Sequence, residues 1–282
     1  MKKISFEFLQ KDAFLKFLSE MAMLENNLLL EFDLEKDLLI AKTGSNDYMI
    51  RKDELKLSEV FRYNKESDIS AENIKGRILF LIQDLSILVK TIKKFVSNGD
   101  ILIFNHDDFN SVVNRRAART NEGVTILDVP SVDVNKAFIK TKEKLKATFT
   151  ILCGEIKNFV YFSDNDIEKM SGKDTHQFRI TFDERELSQL LDLSSTFSNI
   201  SDDTIINVKD NVVTFTNDNW HFKLNDSKVE GSGELKIISP FNSLKELGVS
   251  LEFNLFSIGD LTITFTNKEF KTVMIIGNKE EV

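Results

Sequence analysis

Four times along this chain an alternating apolar segment runs into an amphipathic helical pattern and then into further strand-like segments. A repeat of that kind leaves few architectures open, because each copy needs neighbours to bury its apolar side. The clearest copy runs from Gln177 to Asp210. Phe178, Ile180 and Phe182 alternate with Arg179 and Thr181, which is strand periodicity. Asp183 then supplies an N-cap with Glu186 three residues on, the spacing of a capping box. The following helix carries Leu187, Leu190, Leu191 and Ser194 on one side and Arg185, Gln189 and Asp192 on the other. After a polar turn, Thr204–Val208 and Val212–Phe215 read as strands.

The other copies follow the same plan. Ile4–Leu9 alternates, Phe14, Phe17, Leu18 and Met21 recur at helical spacing, and Asn26-Asn27 ends the helix. Leu28–Leu34, Leu38–Lys42 and Tyr48–Lys56 read as strands, and Asn64–Asn73 as a loop. Arg77–Ile82 opens the second copy. Asp84 caps a helix with Leu85, Leu88, Val89, Ile92 and Phe95 on its buried face, Asn98-Gly99 closes it, and Asp100–Phe104 resumes as a strand. In the fourth copy Leu235–Ile238 precedes Ser239 as cap and Pro240 at the first helical position. Leu244 and Leu247 face inward there, Gly248 is the stop, and Val249–Phe256, Asp260–Thr266 and Glu269–Ile276 are strands.

Two pairs of strand–helix–meander units imply an α+β protein of two pseudo-repeated domains, residues 1–130 and 175–282. Residues 131–174 are read as a connector with an insertion, with a short basic helix over Val134–Lys146 and strands over Ala147–Cys153 and Lys157–Phe162. Val124–Val129 is read as the last strand of the first half. A length of 282 residues suits two ordinary domains. No apolar run approaches a membrane span, and MKKISFEFLQ alternates as a strand rather than forming a signal peptide's apolar core. The single Cys153 excludes an internal disulfide, fits a reducing cytoplasm, and is expected to be a buried, inert thiol.

Catalytic chemistry finds little support. His106, His176 and His221 are isolated, with no HExxH and no Cys/His cluster, so no metal or other cofactor is called for. Asp107-Asp108 and Asp202-Asp203 read as solvated turns. Arg115, Arg116 and Arg119 are the densest arginine cluster and read equally well as a phosphate or subunit contact and as plain surface. The chain is expected not to be an enzyme.

A net charge of -8 means that the surface as a whole repels nucleic acid, so any such contact needs a local basic face. The helices offer one. Lys90 and Lys94 are four residues apart with Lys93 beside them, opposite the apolar side. Lys16 lies across from Phe14, Phe17 and Leu18, with Lys11 near the helix start, and Lys245 projects away from Leu244 and Leu247. The third helix has only Arg185, among Asp183, Glu184, Glu186 and Asp192.

With these features the chain resembles the DNA sliding clamps, the family of proliferating cell nuclear antigen and the clamps of tailed bacteriophages. The similarity lies in ISFEFLQKDAFLKFLSEM, in FDERELSQLLDLSS followed by DTIINVKDNVVTF, in the paired repeat, and in the closing meander DLTITFTNKEFKTVMIIGNKEEV. The resemblance implies a DNA-clamp fold with sheets outside and helices lining a ring, and a non-enzymatic processivity factor that encircles duplex DNA without reading its sequence. It implies a homotrimer of two-domain chains, the DNA polymerase and other replication proteins as partners, and a separate ATP-driven clamp loader. No GxxxxGK[ST] loop is present in the chain itself. The DNA-facing residues would be Lys11, Lys16, Lys90, Lys93, Lys94, Arg185 and Lys245, and Val273, Met274 and Ile276 would line a pocket for partner peptides. Edge strands at Val124–Val129 and within Val212–Phe222 would pair across subunits. Two other readings are a monomeric clamp-fold factor held to DNA by charge, and a structural or virion protein with unrelated duplicated domains.

Overall fold

The structure, a computed structural model, describes residues 2–22, 25–45, 49–74, 76–106, 131–142, 145–156, 167, 176–181, 184–196, 204–224, 228–231, 234–239, 255–259, 262–267 and 272–277. Two compact units result: Met1–Thr43 with Asp53–Ser163, and Gly44–Lys52 with Asp164–Val282.

In the first unit β1 (Lys2–Phe8) leads into α1 (Lys11–Met21), followed by β2 (Leu28–Asp33), β3 (Leu38–Ser45) and β4 (Met49–Lys56), of which the end of β3 and β4 up to Lys52 count with the second unit. A single turn, α2 (Leu57–Val60), precedes β5 (Phe61–Tyr63). Then come β6 (Arg77–Ile82), α3 (Leu85–Phe95), β7 (Ile101–His106), β8 (Ser131–Asp133), β9 (Lys136–Lys140) and β10 (Thr148–Ile151). One sheet has the order β5-β1-β7-β9-β10, and a second runs β4-β3-β2-β6-β8, with β8 parallel to β6.

The two sheets meet over phenylalanine. Rings from β1 (Phe6, Phe8), α1 (Phe14), β2 (Phe32), β5 (Phe61), β6 (Phe80) and β7 (Phe104) are all buried. Their neighbouring centroids lie 5.1 Å apart for Phe6–Phe32 and Phe32–Phe104, and 4.9 Å apart for Phe8–Phe61 and Phe14–Phe61. Such pairs add about 0.5–1.5 kcal/mol each to the burial of the rings. The opposite face of β2 and β6 is covered as well. Leu29, Leu79 and Leu81 pack with Ile156, and Gly154 lies so close that a Cβ there would meet Leu81 at 2.7 Å. Burial on both sides explains why RILFLI is a continuous apolar run rather than an alternating one.

In the second unit β11 (His176–Thr181) and α4 (Glu184–Thr196) precede β12 (Thr204–Lys209), β13 (Val212–Asn217) and β14 (Trp220–Lys223). β15 (Lys228–Gly231), β16 (Glu234–Ser239), β17 (Leu255–Gly259), β18 (Thr262–Asn267) and β19 (Thr272–Gly277) follow. One sheet runs β15-β11-β17-β18-β19 and the other β14-β13-β12-β16. The latter is half-buried, with Ile206, Val208, Val213 and Phe215 inside and the intervening residues partly exposed. β19 also pairs antiparallel with residues 49–52 of β4, Val273 opposite Lys52 and Ile276 opposite Met49.

The duplication expected from the sequence is written into the strand orders. β5-β1-β7-β9-β10 corresponds to β15-β11-β17-β18-β19, and β4-β3-β2-β6 to β14-β13-β12-β16. β8 has no counterpart among the described residues. The expected fourth helix, with Leu244 and Leu247, and the proposed strands Val124–Val129 and Lys157–Phe162 lie outside the described residues.

The connector expected over 131–174 differs from what is seen. Residues 131–151 supply three strands of the first unit, and Val134–Lys146 is not a helix: β9 pairs with β7, Ile103 opposite Phe138, and β10 pairs with β9. Lysines at 136, 140, 142, 144 and 146 obscure the alternation, but Ala137 and Ile139 are fully buried while Lys136 and Lys140 are exposed. The ladder to β7 decides the conformation.

Candidate nucleic-acid interface

The lysine-bearing faces of the first unit rest on two helices that pack against each other, α1 and α3. Asp84 caps α3, its Oδ1 accepting the Ile87 N–H at 3.0 Å. Leu85, Leu88 and Ile92 are buried, while Lys90, Lys93 and Lys94 are exposed. Lys93 and Lys94 occupy the last turn, where the negative end of the helix dipole favours cations. Asn98-Gly99 ends the segment as expected, Gly99 adopting φ +90°, a conformation open to glycine.

On α1, Phe14, Phe17, Leu18 and Met21 are buried and Lys16 is exposed. Lys11 is less available. Its ammonium pairs with Asp12 and its side chain is only 15% exposed, while its backbone N–H donates to Asn98 Oδ1 at 2.8 Å. That last bond ties the start of α1 to the turn beyond α3.

The second unit gives a different face. α4 buries Leu187, Leu190 and Leu191, and Glu186 with them. Arg185 is exposed beside exposed Gln189 and Asp192, so this helix presents no basic stripe. Lys245 lies outside the described residues. Val273, Met274 and Ile276 stand on β19 opposite Thr266, Phe265 and Ile263 of β18, and their side chains are likewise outside the description.

Three features escaped the sequence reading. The first is an open edge. Among the described residues β10 ends its sheet, and the exposed large apolar side chains, Ile87, Leu145 and Leu152, surround it. Leu145 and Leu152 flank β10 in the chain, and Ile87 and Leu152 line one groove with Phe149 and Ile151. The second is a buried ionic cluster. Glu31 accepts from Lys42 Nζ at 2.7 Å and from Arg77, whose Nε reaches Asp33 at 3.1 Å. The third is a lysine-rich hairpin, described below. Exposed leucine and isoleucine beside a strand of four residues carry no local signal, because only the sheet order shows that the strand is an edge.

Chemistry other than binding has few footholds. His221 Nδ1 is hydrogen-bonded to Thr216 Oγ1 at 2.9 Å across the β13–β14 pair. Among the described residues no three His, Cys, Asp or Glu side chains are grouped to hold a metal, and no helix is long and apolar enough to cross a membrane. Burial pushes the Cys153 thiol up to about 11.

The sequence matches no protein-family model and no curated protein. The fold does find similar solved structures. Proliferating cellular nuclear antigen from Entamoeba histolytica superposes with a TM-score of 0.61 at 11% identity, over 99% of this chain and 100% of that one. The chain has the sliding-clamp fold. The clamp antigen of Thermococcus kodakaraensis gives a TM-score of 0.59 at 10% identity, again over 99% and 100% of the two chains. The DNA polymerase III β subunit of Pseudomonas aeruginosa gives 0.63 at 12%, over 98% of this chain and 65% of that one. The clamp fold of this chain thus spans about two thirds of the bacterial β subunit. Its α+β units and their duplication agree with the architecture expected from the sequence.

Proposed function

We propose that this chain is a DNA polymerase processivity factor that closes head to tail into a homotrimeric ring around duplex DNA. One observation carries the reading. Within the chain β19 pairs with β4. Their topological counterparts, β10 and β14, both end their sheets among the described residues. If β10 of one copy pairs with β14 of the next as β19 pairs with β4, a heterologous contact is repeated, and such contacts generate rings when the rotation closes. The exposed apolar side chains around β10 are what that contact would bury.

DNA would then be held loosely by Lys16, Lys90, Lys93 and Lys94, with smaller shares from Lys11 and Arg185 and a share from Lys245. Contacts of this kind go to phosphates and carry no sequence information. The polymerase and a separate clamp loader are the implied partners, with Val273, Met274 and Ile276 of β19 as the docking strand and the cytoplasm as the compartment. Sedimentation across a concentration series tests the assembly. A species of three times the monomer mass is expected, and monomer alone throughout the micromolar range rejects a stable ring.

A further inference from the structure

The hairpin joining β9 to β10 is basic and firmly held. Lys140, Lys142 and Lys146 are exposed and line an open cleft of about 320 Å³ with Thr141, Ala147 and Thr148. None of the three is ion-paired with a described residue. The Thr141 N–H donates to the Ala147 carbonyl at 2.9 Å, and the Thr141 hydroxyl donates to the Leu145 carbonyl. The Lys142 N–H donates to Asp100 Oδ1 at 2.7 Å. Asp100 is fully buried, and its other oxygen accepts the Ser97 N–H at 2.8 Å, in the turn that leaves α3. Phe149 stacks on Phe95 of α3 with centroids 5.2 Å apart and planes at 22°. The hairpin is therefore fastened to the C-terminal end of α3, where Lys93 and Lys94 are exposed.

We propose that Lys140, Lys142 and Lys146 form a second phosphate-contacting element, continuous with the α3 lysines, that takes the backbone of duplex DNA beyond the helices. The inference rests on the clamp reading and adds residues that the helix-face argument does not contain. Ammonium groups on flexible stems suit phosphate contact without base readout. From Lys140 to Lys146 the sequence holds four lysines against one acidic residue, Glu143, in a chain whose net charge is -8. The Asp100 anchor removes much of the entropy that a loose loop would lose on binding.

The test compares two full-length variants, K140Q/K142Q/K146Q and K90Q/K93Q/K94Q, by fluorescence anisotropy on two unrelated mixed-sequence duplexes over a range of salt. Each lysine that contacts phosphate contributes about 0.9 to the slope of log K against log salt. The hairpin variant is expected to weaken binding on both duplexes and to lower that slope by about 2 to 3. K140R/K142R/K146R, which keeps the charge, is expected to bind as the parent does. A hairpin variant that binds as the parent does, while the α3 variant is weakened, overturns this inference and leaves the clamp reading standing. The same result is expected if the hairpin instead receives an acidic protein segment. If neither variant changes binding, both readings fall.

Discussion

Glu31 has no solvent exposure and answers two cations at once, Lys42 through one oxygen and Arg77 through the other. Arg77 in turn reaches Asp33. Each charge in this cluster is tolerable only because the others are present, since an ion left alone in such a site keeps its full desolvation cost. Arg77→Met removes the cation shared by two buried carboxylates and is expected to destabilise the first unit by about 3–5 kcal/mol in urea unfolding. A loss below about 1 kcal/mol would mean that water reaches the cluster. Cys153 illustrates burial acting on one proton. With its thiol raised from 9.0 to about 11, the folded chain holds the proton more tightly than the unfolded chain does. That contribution to stability is complete below the unfolded value and is lost as pH rises through the folded one. Iodoacetamide should therefore label Cys153 slowly at pH 8 and faster as pH approaches 11, and urea should abolish the difference. Rapid labelling of the native chain at pH 8 would contradict the raised thiol.

Among the elements, β10 is the one on which the proposed assembly turns. Leu152 is 58% exposed and Ile87 56%, unusual values for large apolar side chains flanking an edge strand. Burying such a side chain is worth about 1.5–3 kcal/mol, so losing one from an interface costs roughly tenfold or more in affinity. Ile87→Glu and Leu152→Glu should each raise the dissociation constant of self-association by at least that factor while shifting monomer stability by under about 0.5 kcal/mol. Unchanged association would place the interface elsewhere. α3 was legible in the sequence because its signals are local: Asp84 as cap, leucine and isoleucine at helical spacing, and Asn98-Gly99 as stop. β6 matched over Arg77–Ile82 for the same reason. β10 falls within the strand read over Ala147–Cys153, whereas β9 was hidden, because its state is set by pairing with β7 more than 30 residues upstream, Ile101 opposite Lys140, and no local preference records that choice. The short β5 was hidden for want of length, although Phe61 anchors the aromatic core. Of the candidate interface, the helix lysines were readable from spacing, whereas the hairpin lysines became meaningful only once Asp100 was seen to tie them to α3.

At the scale of the whole molecule the proposed function raises the question of what would keep the protein on DNA. A few lysine–phosphate contacts give dissociation constants on the order of 10⁻⁴ to 10⁻⁶ M and fail as salt rises. An encircling ring adds persistence without adding contacts, because release then requires opening or a DNA end. The two mechanisms separate cleanly when the ring is closed chemically. Cysteines introduced at exposed Thr150 of β10 and exposed His221 of β14, in a chain whose half-buried Cys153 is replaced by serine, and joined by a thiol cross-linker would close it. Complexes assembled on a circular plasmid by the cognate loader and then cross-linked should survive a salt wash that strips the unlinked protein. Cutting the plasmid once should release them, since the ring can then slide off an end. Equal salt sensitivity on circular and linear DNA, with cross-linking confirmed, would instead mean that charge alone holds the chain. The open edges of β10 and β14 would then serve some other association.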